Sequence, residues 1–129
     1  MHPNEQIVRK LFEAFDSNDM STIDALMADD VVWNAPGRGV NSGVRRGKHE
    51  LFAAMGRLGE LTGGTLRGEV HDVLASDDHA VVLQTTRGER AGRAPLQDRE
   101  AIVLHVREGR IVEVWEHPGD LRAMDEFFS

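Results

Sequence analysis

The chain has no cysteine and no tyrosine among its 129 residues. The first absence removes disulfides, thiolate metal ligands and cysteine nucleophiles. It also fits a reducing compartment. The second removes a phenol that could donate to an oxyanion. No apolar run approaches the roughly 20 residues of a membrane-crossing helix. The opening Met1-His2-Pro3-Asn4-Glu5-Gln6 lacks the basic flank and apolar core of a secretory signal. These absences predict a cytoplasmic protein with no membrane partner. Long basic runs are missing too. The densest cluster is Arg45-Arg46-Gly47-Lys48, and the net charge is −7. A nucleic-acid partner needs a concentrated basic face, so none is expected.

The six histidines, His2, His49, His71, His79, His105 and His117, form no i, i+4 or H-x-H pair. No metal and no cofactor is therefore expected. Ser17, Ser21, Ser42, Ser76 and Ser129 sit at caps, turns or an end, and no nucleophile elbow surrounds them. The glycine-rich stretch around residues 37–47 lacks G-x-G-x-x-G order, which argues against a phosphate cradle.

What is present is patterning for one domain over 1–129. Ile7, Val8, Leu11, Phe12 and Phe15 mark one face of a helix over 4–17. Ser21-Thr22-Ile23-Asp24 reads as a capping box for a short helix carrying Ile23, Leu26 and Met27. Val31-Val32-Trp33 reads as a short strand, followed by a long turn-rich loop to Gly47. A third helix carries Leu51, Phe52, Met55 and Leu58 and stops at Gly63-Gly64. Residues 65–76, 79–90, 96–107 and 110–117 read as an antiparallel meander. A last helix starts at Asp120, a good N-cap. Helices first and strands second predict an α+β domain with helices on one face of a curved sheet.

The order of elements is similar to that of the nuclear transport factor 2-like superfamily, and most of all to its SnoaL-like group. The residues that carry the resemblance begin with Ala14 through Asp19, Asp29 through Trp33 and Gly43 to Gly47. They continue with Gly63-Gly64-Thr65, Val70 through Ala75, Glu108-Gly109 and Trp115 through Asp120. The resemblance covers nearly the whole chain. It implies a cone-shaped α+β barrel whose curved, mostly antiparallel sheet and helices enclose a largely apolar pocket. It also implies a homodimer through the sheet. Two relatives' reactions transfer badly. Ketosteroid isomerases need a carboxylate at the first strand's end and a tyrosine. Here that strand end is Trp33-Asn34-Ala35-Pro36, and tyrosine is absent. Limonene-epoxide hydrolases place an acid two residues after the last strand's tryptophan, where His117 stands, and pair it with an arginine and an aspartate on the neighbouring strand, where Asp98, Arg99 and Glu100 leave an acid–arginine pair possible. SnoaL-like cyclases, thought to use a histidine and an aspartate, are matched by His117 with Asp120, or by His105 with either.

In a regular last strand Trp115, His117 and Glu113 share a face. His117 then supplies acid–base chemistry near neutrality. Asp120 is its partner, or simply a helix cap. Trp33 and Trp115 are pocket walls or core filling. Asn34, Arg99, His105 and Glu113 complete the candidate ligand-binding set. A bulge in the last strand would reverse its register and turn Val112, Val114 and Glu116 inward instead. The function this implies is binding of a small apolar molecule, with cofactor-free isomerase, cyclase, dehydratase or epoxide hydrolase chemistry at His117. The alternative is a non-catalytic ligand-binding or scaffolding domain.

Overall fold

A computed structural model describes residues 1–129. Helix α1 (Pro3–Ser17) carries proline in its first turn, where the missing N–H costs nothing. His2 caps it, accepting from the Asn4 N–H at 3.0 Å. Val8, Leu11, Phe12 and Ala14 form its buried face. Helix α2 (Met20–Leu26) is capped by Asp19, which accepts from the Thr22 N–H at 3.2 Å and from its hydroxyl at 2.6 Å. The cap expected at Ser21 therefore lies two residues earlier. A carboxylate aimed at two donors displaces the weaker hydroxyl cap, and Ser21 itself donates to Asp19.

Met27 is not helical. It opens β1 (Met27–Ala35), three times longer than the expected strand. Met27 and Val31 are fully buried, but the exposed Asp29-Asp30 between them hides the strand from an apolar pattern. Within the expected loop, Gly43–Arg46 form β2, an edge strand paired antiparallel to β1. Its backbone pairing leaves no apolar signature, since three of its four residues are exposed. Helix α3 (Gly47–Leu61) follows. The meander is as expected: β3 (Arg67–Ala75), β4 (His79–Gly88), β5 (Leu96–Arg107) and β6 (Arg110–His117), then α4 (Leu121–Phe127).

The sheet order is β2-β1-β6-β5-β4-β3. Only the β1–β6 pair is parallel. The sheet curls around the helices without closing and gives the cone-shaped α+β architecture.

Two bulges set which side chains face the helices. In β3 the pairing shifts between Val70 and Asp72. Asp72 then lies opposite the outward-facing Leu83, and His71 reaches Thr85 Oγ1 at 2.7 Å. Both therefore stand on the outer face, where a regular strand would have separated them. In β6 the pairing shifts beside Val112: Val106 faces Ile111, but His105 faces Glu113. Ile111, Val114 and Glu116 consequently point inward, and Glu113, Trp115 and His117 outward.

The inner face of β5 reads Val106, Leu104, Ile102, Glu100, Asp98, Leu96. The first three belong to the main core with Val8, Leu11 and Phe12 of α1. Leu96 belongs to a second apolar cluster with Met124, Phe127 and Phe128 at the α4 end. Between the two lies a polar belt.

Candidate active site

The belt is built from cross-strand neighbours. Gln84 on β4 lies opposite Glu100 on β5, Thr86 opposite Asp98, and Ile102 opposite Glu116 on β6. β1 contributes Trp33, paired with Val114 and so also inward. The Trp33 indole N–H donates to Glu116 Oε2 at 2.7 Å. Phe15 of α1 packs edge-on against the indole with centroids 5.9 Å apart. Gln84 Nε2 donates to Thr86 Oγ1 at 3.0 Å, and the Thr86 hydroxyl donates to Glu100 Oε2. Two donor chains thus converge from opposite sides on two carboxyl groups. Those carboxyls are themselves within hydrogen-bond reach of each other.

None of the molecule's ion pairs involves Asp98, Glu100 or Glu116. Burial therefore decides their protonation. Glu116 is pushed up to about 7, first by desolvation and then by the charge on Glu100; the Trp33 hydrogen bond opposes the shift. Glu100 is raised as well, again by burial first, with the Thr86 hydrogen bond opposing and the Asp98 charge adding. Two carboxyls in contact away from water resist ionising together, so the pair keeps a proton to higher pH than free glutamates do.

Asp98 has a different task. Its oxygens accept from the Gly119 N–H at 3.1 Å and the Asp120 N–H at 2.9 Å. A Cβ on residue 119 would collide with the Arg99 carbonyl, so only glycine allows this approach. Asp120 accepts from the Ala123 N–H at 3.0 Å and caps α4. Asp98 therefore anchors the turn that carries α4.

Half-buried side chains adjoin the belt. Glu116 is half-buried. Phe15, Trp33, Phe52, Met55 and Val70 pack on the main core and are half-buried too.

Of the residues expected from sequence, Trp33 is at this belt. His117 is not: it is exposed on the outer face, opposite Ala101. Its neighbour Glu116 takes the inward position because of the β6 bulge. Trp115 and Glu113 are outward for the same reason; His105 is outward by the alternation of β5 and stacks on His79 at 5.0 Å between centroids. Asn34 is also outward and donates to Glu113 Oε2 at 3.2 Å and to the Val114 carbonyl at 2.9 Å. Arg99 is exposed opposite Thr85. The sequence offered Glu100 only as a partner for Arg99, which faces the other way, and passed over Thr86 and Gln84. The signal for Glu100 was present: it shares parity with Ile102, Leu104 and Val106.

A family model described as SnoaL-like domain matches residues 8–114. The uncharacterized protein Rv0034 of Mycobacterium tuberculosis is 33% identical over 124 residues, 95% of this chain and 94% of that one. Among solved structures, Bal32a from a soil-derived mobile gene cassette is 36% identical with a TM-score of 0.94, covering 98% of this chain and 97% of its own. An NTF2-like protein of unknown function from Burkholderia pseudomallei is 25% identical with a TM-score of 0.88, covering 100% of this chain and 99% of its own. The order of elements, the curled sheet and these matches agree: the chain belongs to the SnoaL-like family of the nuclear transport factor 2-like superfamily.

Proposed function

We propose that the protein is a cofactor-free acid–base catalyst acting on a small, largely apolar carbonyl compound that binds beside Trp33 and Glu116. The observation that carries this reading is the buried Glu100–Glu116 pair, held between the Trp33 and Thr86 donors with no cation beside it. In the forward step ionised Glu100 takes a proton from the carbon next to the carbonyl, and Glu116 gives its proton to the carbonyl oxygen. The resulting enol collapses with the two transfers reversed at a new carbon, which gives isomerisation, or ring closure where a second carbonyl is in reach. The reading retains the isomerase or cyclase chemistry of the family resemblance and moves its acid–base group from His117 to Glu116. A pair poised near neutrality suits both directions of transfer.

The test is proton exchange in heavy water, followed by NMR over a panel of cyclic ketones and enones. Enzyme-dependent exchange at the carbon next to the carbonyl, lost by about 10²–10⁴-fold in Glu116→Gln, is expected. Exchange that survives Glu116→Gln, or none across the panel, would overturn it.

The outer sheet face supports self-association. One cross-strand row there runs Leu74, Val81, Val103, Trp115, Asn34 and Val44 over all six strands. Leu74 is 53% exposed and Val44 45%. A homodimer would cover this row. Sedimentation is expected to show a dimer at micromolar concentration, shifted to monomer by Val103→Glu; a monomeric parent protein contradicts it.

A further inference from the structure

The belt is closed off from solvent. Glu100 is 4% exposed, and Gln84, Thr86 and Asp98 beside it are buried as well. Two apolar clusters flank these residues. The main core of 16 buried residues lies on the Ile102 side. The α4 cluster, with four, lies on the Leu96 side. Leu96 is the inward residue of β5 next to Asp98, and it packs with Met124, Phe127 and Phe128. On β4 the inward residue after Thr86 is Gly88. Phe127 fills the space there: a Cβ on residue 88 would lie 3.5 Å from its ring. Burial energy scales with apolar area, so the smaller cluster leaves the belt at lower free energy than the main core does.

Helix α4 has only seven residues, too few to be stable alone. Its two ends are fastened differently. At its start the buried Asp98 accepts from the Gly119 and Asp120 N–H groups. At its far end Arg90 donates to the Phe127 carbonyl at 3.0 Å and to the Ser129 carbonyl at 2.9 Å. Arg93 donates to the Ser129 carbonyl at 2.9 Å, and the Val40 N–H to the Phe128 carbonyl at 2.9 Å. The Arg38 N–H donates to Asp125 Oδ1 at 2.8 Å. Arg90 and Arg93 belong to the connection between β4 and β5, Arg38 and Val40 to that between β1 and β2. These far-end bonds can therefore break without parting any strand pair.

We infer that α4 is a gate: residues 121–129 swing about the turn held by Asp98, and the small carbonyl compound enters the belt through the opening. What passes the gate rests on the proposed acid–base reading; the motion stands on the packing and the fastening. Closure keeps bulk water from the enol while the proton transfers are completed.

Hydrogen exchange followed by NMR on the intact protein tests the gate without using the reaction. Three sets of protons are compared: the α4 amides of Met124 and Phe128, the side-chain amide of Gln84 in the belt, and the backbone amide of Leu104 in the main core. The α4 amides and the Gln84 side chain are expected to share one protection factor, roughly 10²-fold or more below that of Leu104. Arg90→Ala should lower both by the same factor, about tenfold, the scale of one hydrogen bond to a charged group, and leave Leu104 unchanged. Arg93→Ala should act in the same direction by a smaller factor, and it decides if Arg90→Ala does not fold. A Gln84 side chain that stays protected while the α4 amides speed up would show a helix that frays without opening the belt, and overturns the gate. Exchange of all three sets at one protection factor overturns it too. Neither result touches the acid–base reading, which the heavy-water assay decides on its own. A shared, Arg90-sensitive opening without carbon exchange would remove that reading and leave the gate standing.

Discussion

Glu116 and His117 are neighbours on one strand with opposite fates. Glu116 faces the helices, receives the Trp33 indole N–H at 2.7 Å and is pushed up to about 7 by burial. His117 faces outward and is exposed. The same division runs through β5, where Glu100 and Leu104 are inside and Arg99 and His105 outside. Side-chain chemistry alone would have chosen the histidine for acid–base work at neutral pH. The structure teaches that placement outranks intrinsic pKa. One extra residue at Val112 exchanges the two faces, and burial then brings a carboxyl into the range where imidazole normally works.

The largest break in this comparison is expected in the main core. Leu104 is fully buried and Val103, beside it, points outward. Leu104→Ala should lower the unfolding free energy by about 2–5 kcal/mol, and Val103→Ala by under about 1 kcal/mol, in urea titrations of the monomer. Equal losses would mean that the assigned register is wrong.

The second break is functional. Glu116→Gln should reduce turnover by about 10²–10⁴-fold, while His117→Ala changes it by less than about twofold. Kinetics on any substrate from the exchange panel check this, and the reverse ranking would restore His117.

The third follows from the sign of the carboxyl shift. A carboxyl raised in the folded state is protonated there while its unfolded counterpart is already ionised. Its favourable contribution is complete below the ordinary glutamate range and is lost as pH rises from about 4.5 to about 7. Melting temperature should therefore fall across that window, and Glu116→Gln should flatten the fall. The variant should melt several degrees higher than the parent at pH about 8, at roughly 4 °C per kcal/mol for a domain near this size. A parallel pH profile in parent and variant would remove the buried charge from the account.

The smallest effect concerns Trp33. Trp33→Phe keeps the ring beside Phe15 but deletes the N–H. It should cost about 1–3 kcal/mol of stability and raise the Glu116 pKa further, since that hydrogen bond favours the ionised form. An unchanged titration would show that the indole is only a wall.

Much of the fold was legible because its strands alternate and its turns are marked by Ser76-Asp77-Asp78, Gly92 and Glu108-Gly109. The α1 stripe and the Asp120 cap were equally plain. What escaped the pattern was held by other forces. β2 is defined by backbone pairing at an edge, and Asp29-Asp30 interrupt the apolar reading of β1. The site was half legible. Trp33 stood out as a large aromatic at a strand end. Glu100 could have been found from its parity with Ile102 and Leu104, but an acid on a core face is easily read as a solvated break. Glu116 depended on the bulge beside Val112, and Ile111-Val112-Glu113-Val114 contains no glycine or other mark that fixes where a bulge falls.

The central claim is that Glu100 and Glu116 share one proton in the interior near neutrality. Side-chain carboxyl NMR of glutamate-labelled protein, titrated from acid to alkaline pH, tests it most directly. One glutamate titrating at about 7, and moving down when Glu100→Gln removes the neighbouring charge, is the predicted result. A titration in which no glutamate carboxyl of the chain changes state above pH about 5 would contradict it.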